Sequence, residues 1–174
     1  LKLTEDGKAI IGSTQIIREG ETLYSYYVAR SAGVDPMTGE KMYWATDKDG
    51  NDYITKSTTV AQANRVIAGS RIPDLYGSLS TSLRWKNLDF SISTNYSIGG
   101  KNYDGVYYEF MSCYYTAQAK HKDMLRAWRK PGDVTDVPKY TIGETPIVTD
   151  DKLVDASYFS IKNITLGYTL PRRW

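Results

Sequence analysis

At 174 residues the chain is long enough to form one domain with a sizeable core. Its 22 basic and 20 acidic residues leave a net charge of +2, which offers no electrostatic footprint for nucleic acid. A mean hydropathy of −0.46, with no apolar run approaching the roughly 20 residues of a spanning helix, excludes a helical membrane protein. A β-barrel stays open, since its lipid-facing residues come only at every second position. Cys113 is the single cysteine, so an intrachain disulfide is excluded. Tyrosine is the outlier, with 15 copies against 3 Phe, a bias that suits aromatic girdles and wet binding surfaces.

Residues 8–17 carry mixed strand signals. Gly20 to Arg30 is rich in β-forming residues and is expected to be a strand. Asp35-Pro36-Met37-Thr38-Gly39 is a turn, in which Pro presets φ and Gly supplies a positive φ at the exit. Met42 to Ala45 and Asp52 to Thr55 are expected to pair as a hairpin around Asp47-Lys48-Asp49-Gly50. Counted from Asp47, the two positions that an EF-hand reserves for Gly and a bidentate Glu hold Asp52 and Thr58, so a tight turn is expected there instead of a calcium loop. Ser57 to Ala68 is expected to be briefly helical.

Ser78 to Gly100 is the most informative stretch. Leu79, Leu83 and Trp85 alternate with Ser80, Ser82 and Arg84. After Lys86-Asn87, Phe90, Ile92, Tyr96 and Ile98 fall out of phase with Ser91, Ser93, Asn95 and Ser97. One face is apolar and the other is nearly pure Ser/Asn, whereas a soluble sandwich usually puts many Lys and Glu on its outer face. A small-polar face behind an apolar one suits a barrel wall with lipid outside and a wet lumen inside. Gly99 to Asp155 lacks a sustained period of 2 and reads as a long loop region, with helix-compatible content at Met111 to Arg129. In the last strand, Ser157 to Leu170, the residues Ile164, Leu166, Tyr168 and Leu170 share one face. Phe159 and Ile161 fall on the opposite phase, which predicts a bulge near Lys162-Asn163.

The fold class expected is therefore all-β, a portion of an antiparallel transmembrane β-barrel with long extracellular loops and some local helix. Barrels have short periplasmic turns and long extracellular loops, so Lys86-Asn87 is placed inside and residues 99–156 outside, with Trp85 and Tyr168 near the inner girdle. The start at Leu1-Lys2-Leu3-Thr4 and the end at Pro171-Arg172-Arg173-Trp174 carry the expectation of a section from a longer protein.

Several stretches, in order and spacing, resemble the C-terminal barrel region of SusC/RagA-like TonB-dependent transporters. They are Gly33 to Glu40 (GVDPMTGE), Ile72 to Gly77 (IPDLYG), Trp85 to Ser91 (WKNLDFS), Gly99 to Asp104 (GGKNYD), Trp128 with Pro131 to Pro138 (PGDVTDVP), and Asp155 to Pro171 (DASYFSIKNITLGYTLP). The resemblance implies an outer-membrane barrel of about 22 strands, here partial over residues 1–174, that imports glycans, peptides or similar oligomers. It implies energy from the TonB complex and a SusD/RagB-like surface lipoprotein as partner. The family's plug, TonB box and final strands are not among these residues.

Tyr107, Tyr108, Tyr114, Tyr115 and Trp128 are the candidate ligand-binding residues, since aromatic faces stack on sugar rings and peptide side chains; packing among loops or against the lipoprotein is the plainer fate for them. His121 and Cys113 offer too few ligands for a metal. No Gly-x-Ser-x-Gly elbow or phosphate-binding glycine loop is present. Asp150-Asp151 reads as solvated charge in a polar loop, as do Arg126, Arg129 and Lys130. The chain gives no case for catalysis, a metal or a cofactor, and its expected location is the Gram-negative outer membrane. A secreted β-sandwich that binds carbohydrate through exposed Tyr and Trp is the alternative, but it leaves the Ser-rich face and the long segment after Gly99 unexplained. A complete small barrel ending at Trp174 is set aside, because Arg172 and Pro171 break the terminal alternation.

Overall fold

The structure is a computed structural model that describes residues 10–12, 14–114, 118–143 and 147–171. These fall into two compact units, one within Leu1–Arg71 and Asn102–Val154, the other within Ile72–Lys101 and Asp155–Trp174.

The first unit opens with β1 (Ile10–Ile11) and β2 (Gln15–Ile17), which pair antiparallel and resolve the mixed signals there; Lys8 lies outside the described residues. The strand expected from Gly20 starts only at Ser25, because Tyr24 adopts φ 60 and breaks the extended run. It is also two strands. β3 (Ser25–Val28) and β4 (Arg30–Val34) belong to different sheets, separated by the buried Ala29. β5 (Lys41–Thr46) and β6 (Asp52–Thr55) form the expected hairpin, and β4 completes the sheet in the order β4-β5-β6. Asp47 accepts from the amides of Asn51 (2.8 Å) and Asp49 (2.9 Å), so its carboxylate serves the turn. The helix of the next segment is limited to α1 (Thr58–Ala63). Ser57 caps its start by accepting from Val60 N, and Asn64 ends it by folding its side-chain amide onto Val60 O (2.9 Å). Ala68 then lies in β7 (Val66–Ser70), which pairs with β3.

In the second unit β8 (Leu75–Trp85) and β9 (Leu88–Ile98) are eleven-residue strands joined by Lys86-Asn87, with Trp85 opposite Leu88. Eleven residues match the length of a tilted strand that crosses a bilayer. Lys86 takes φ 55, a positive first turn position like that of the hairpin turn normally filled by Gly.

The long excursion after β9 holds β10 (Lys101–Tyr103), α2 (Gly105–Met111), a short 3₁₀ turn at Lys122–Arg126 and another at Asp150–Lys152, then β11 (Leu153–Asp155), which pairs with β10. The α-helix meets the Met111–Arg129 stretch that composition favoured only at Met111, and the helical content within that stretch is the 3₁₀ turn at Lys122–Arg126. Asp104 caps α2 by accepting from Tyr107 N (2.9 Å), and Ser112 is already extended at φ −71, ψ 140. A local cap and stop outweigh the alanine content beyond. The segment after Trp128 is latched to the Asp35–Gly39 turn. Pro36 O accepts from Trp128 Nε1 (2.9 Å) and Gly132 N (2.8 Å), and Gly39 O accepts from Lys139 N (2.8 Å). Gly39 sits at φ +71 with the Trp128 ring where a Cβ would stand, so it alone satisfies both backbone and neighbour.

β12 (Tyr158–Tyr168) returns antiparallel to β9, giving the sheet order β12-β9-β8, a meander in which each strand lies beside its predecessor within the unit. The bulge falls between Ile161 and Asn163, as the phase change requires. Phe159 lies opposite Tyr96 and Ile161 opposite Thr94; beyond the bulge Ile164 lies opposite Ile92 and Leu166 opposite Phe90. All of these stand on the same face as Leu79, Leu83 and Trp85. The opposite face pairs Ser80 with Ser93, Ser82 with Ser91, Asn163 with Ser93 and Thr165 with Ser91. The apolar face is open: Leu79 is 68% exposed, Trp85 70% and Leu166 69%. No closed barrel is formed by these three strands alone.

Gly39→Ala should cost about 2 kcal/mol or more in the loop unit, since φ strain and a clash with Trp128 add. Gly50→Ala, at φ +87 with open space around it, should cost about 1 kcal/mol. Hydrogen exchange at the Gly132 and Lys139 amides in the intact protein reads the difference. Equal losses for the two variants would remove the ring contact as the cause.

Candidate ligand-binding site

The first unit forms a half-open cavity of about 280 Å³. Tyr107 and Tyr108 of α2 line it, brought there by the Asp104 cap that starts the helix. Met111 from the helix end, Met124 from the 3₁₀ turn, and Ile147 supply aliphatic surface. Tyr43 of β5 closes one side, packed in a buried cluster with Ala29 and Ala61.

The aromatic wall is tied down by polar contacts. Tyr107 donates its hydroxyl to Asp123 (3.1 Å) and stands edge-on to His121, with ring centroids 5.0 Å apart. Burial, with Asp123 beside it, pushes the Tyr107 phenol above its ordinary range, so it stays a donor at neutral pH. Asp123 also faces Arg126 at 3.2 Å. Tyr108 packs against Tyr103 at a centroid distance of 5.9 Å.

A charged group closes another side. Asp151 pairs with Lys41 (2.8 Å) and Lys152 (3.4 Å), and its other oxygen accepts from the buried Thr149 hydroxyl. Burial opposes ionisation of Asp151, yet Lys41, Thr149 and Lys152 together hold its carboxyl below the usual range. Lys152 also lies 5.0 Å from the centroid of the Tyr107 ring, a cation–π contact. The backbone that carries this group is pinned: Ala29 bridges Thr149, and Asp150 N donates to Ala29 O (3.0 Å). Asp150 and Asp151 are therefore not simply solvated charge: both have fixed partners, although Asp151 stays partly open to solvent. Asp150 accepts from Ser31 N (2.8 Å), and Asp151 is the hub of the ion group. The adjacency was invisible in the sequence, because Lys41 is 110 positions from Asp151.

The other candidate residues lie elsewhere. Trp128 holds the Pro36–Gly39 turn, Tyr114 is half exposed beside Ser112, and Tyr115 lies outside the described residues. Lys41, Met124, Thr149, Asp151 and Lys152 were not legible as site residues; only the run of Tyr near 107 signalled this region. Among the described residues no group of His, Cys, Asp or Glu could hold a metal, and no helix is long and apolar enough to cross a membrane.

No family model matches the chain. Among curated relatives, the TonB-dependent receptor P3 of Formosa agariphila (strain DSM 15362 / KCTC 12365 / LMG 23005 / KMM 3901 / M-2Alg 35-1) is 32% identical over 173 residues, covering 91% of this chain and 16% of that receptor. Among solved structures, the RagAB peptide importer in its closed-closed state superposes with a TM-score of 0.77 at 30% identity, covering 93% of this chain and 18% of that one. Its open-open state gives a TM-score of 0.72 at 27% identity. The chain thus spans about a sixth of the length of the relatives it matches.

Asp151 has a lowered carboxyl in the folded state, so its stabilising effect is full above the unfolded carboxylate range and is lost as pH falls through the lowered value. Lys41→Met removes the 2.8 Å partner and should move that loss to higher pH. Exchange protection of the Asp104 amide, which donates to Lys152 O (3.0 Å), reports the midpoint. An unchanged midpoint would show that Lys41 does not set it.

Proposed function

We propose that this chain, a section of SusC/RagA-like TonB-dependent transporter sequence, forms part of an outer-membrane barrel wall together with a folded extracellular loop region at residues 99–156. The whole protein imports an oligomeric nutrient, a peptide or an oligosaccharide, powered by TonB and assisted by a SusD/RagB-like surface lipoprotein. It acts by binding and release, without covalent chemistry.

One observation carries this reading: the three-stranded meander keeps one face apolar and the other Ser/Asn-rich across all three strands, with the bulge restoring the phase of β12. A soluble sandwich would bury the apolar face. Here Leu79, Leu83, Phe159, Ile164 and Leu166 are all more than half exposed, which suits lipid. Leu88 to Ile98, at about 3.3 Å per residue and a tilt of about 40°, spans about the 25 Å of a barrel's apolar band. Trp85 and Tyr168 stand on the apolar face at the short-turn end, where an interfacial girdle is expected. The similarity to a named peptide importer supports the substrate class.

Uptake of labelled oligopeptides and oligosaccharides by cells with and without the full-length protein tests the function, and no protein-dependent uptake of either would end it. The facing of the wall is tested by assembly. Ile92→Lys should place a charge in lipid at a cost of about 2–4 kcal/mol near the midplane, while Ser93→Leu, facing the lumen, should assemble nearly as the parent does. Equal losses of heat-modifiable barrel in the two variants would reverse the assignment.

A further inference from the structure

We propose that the cavity beside Tyr107 and Tyr108 is a subsite for the carboxylate-ended residue of a peptide, one with an aromatic or aliphatic side chain. The proposal rests on the import reading for its substrate and on the cavity's own chemistry for its selectivity. At about 280 Å³ the space lies at the lower edge of small-molecule sites, which run from roughly 300 to 1,000 Å³. It therefore admits one residue-sized group and not a folded oligomer.

The lining decides what that group is. Met111, Met124, Ile147 and Val137 present aliphatic surface, which a hydroxyl-rich sugar ring would leave with unmet hydrogen bonds. Methionine packs adaptably around apolar bodies of differing shape and makes favourable contacts with aromatic rings. The charged groups are unevenly shared from one side to the other. Two lysines, Lys41 and Lys152, share the single carboxylate of Asp151. Elsewhere Lys139 faces Glu40 at 3.4 Å, and Arg126 is shared by Asp136 (3.3 Å) and Asp123 (3.2 Å), so the surplus of cation lies on the Lys41–Lys152 side alone.

Lys152 is the group placed to accept a ligand carboxylate. Its ammonium is 3.4 Å from Asp151, beyond a good hydrogen-bond length, and it lies over the Tyr107 ring. Lys41, at 2.8 Å, is the one that holds Asp151. A ligand carboxylate would meet a positioned cation beside the aromatic wall, with its side chain directed among the methionines. Tyr107, fixed by its hydrogen bond to Asp123, keeps its ring in the lining beside that body.

The test is binding to the purified full-length protein with three probes: N-acetyl-L-phenylalanine, its C-terminal amide, and galacturonate. The free acid should bind, and the amide should bind about tenfold or more weakly, the loss expected for a charge-assisted contact. Lys152→Gln should bring acid and amide to the same affinity while Asp151 keeps Lys41 and Thr149. Should that variant not fold, the acid–amide comparison in the unaltered protein decides by itself. Equal binding of acid and amide, binding of neither, or tighter binding of galacturonate would overturn the subsite. Uptake is scored separately: acid-selective binding without protein-dependent uptake of either oligopeptide or oligosaccharide would sink the import reading and leave the subsite standing, and uptake with unselective binding would sink the subsite alone.

Discussion

A β-strand sends successive side chains to opposite faces, so a sheet with one apolar and one polar face keeps them only if no strand slips by one residue. The second unit depends on that constraint. Its hairpin satisfies it through a two-residue turn that sets Trp85 opposite Leu88 and leaves every pair in phase up to Leu75 and Ile98. β12 does not satisfy it by simple alternation, because Phe159 and Ile161 are odd-numbered while Ile164, Leu166 and Tyr168 are even. The bulge between Ile161 and Asn163 absorbs one residue and returns both halves to the same face. The same step keeps Ser160, Asn163 and Thr165 on the polar side, opposite Asn95, Ser93 and Ser91.

The first unit is held by a different logic. Its strands are short, and its excursion from Asn102 to Val154 contains little regular structure, so backbone groups must find partners outside ladders. The Asp35–Gly39 turn provides several. The Asp35 carboxylate accepts from Met37 N and Thr38, and Lys56 joins Asp35 (2.5 Å) to Glu40 (3.0 Å). Lys56, the Met37 amide and Thr38 hold the Asp35 carboxyl well below its usual range, although the pair is open to solvent and screened accordingly. Pro36 and Gly39 then offer their carbonyls to the Trp128–Lys139 segment. Two stretches that carried the family resemblance, some ninety residues apart, are one interlocked feature. Arg30 and Asp52 add a two-pronged pair across the sheet (2.7 and 2.9 Å) that lowers the Asp52 carboxyl to about 2.

A similar junction exists in the second unit, at the end of the wall away from the short turn. Asp74 N donates to Ile98 O (3.0 Å), Gly99 N to Ser157 Oγ (3.0 Å), and Ala156 N to Gly100 O (3.1 Å). Ser157 is in turn oriented by Asp155, which accepts from its amide and its hydroxyl. Gly99 holds φ +77 against the Asp74 carboxylate, so a side chain there would meet both strain and a neighbour. The Ile72-Pro73-Asp74, Gly99-Gly100 and Asp155-Ala156-Ser157 stretches thus seal the points where strands begin and end.

The sequence by itself determined the two-faced wall, because facing depends on local alternation that can be counted along Leu75–Trp85, Leu88–Ile98 and Tyr158–Tyr168. Even the bulge was legible, since a phase change between Ile161 and Ile164 has one simple geometric remedy. It also marked the Asp35–Gly39 turn and the Asp47–Gly50 turn, whose chemistry is local. What it could not determine were features made by distant residues meeting. The split of the Gly20–Arg30 stretch depends on Tyr24 adopting a left-handed conformation and on Ala29 being buried against Thr149. The helix moved to Gly105–Met111 because a cap at Asp104 outweighs alanine content further on. The cavity's charged group joins Lys41 to Asp151 and Lys152 across more than a hundred residues. Propensity and periodicity act within a few residues of each other, whereas burial and ion pairing depend on proximity in space, which only the folded chain supplies.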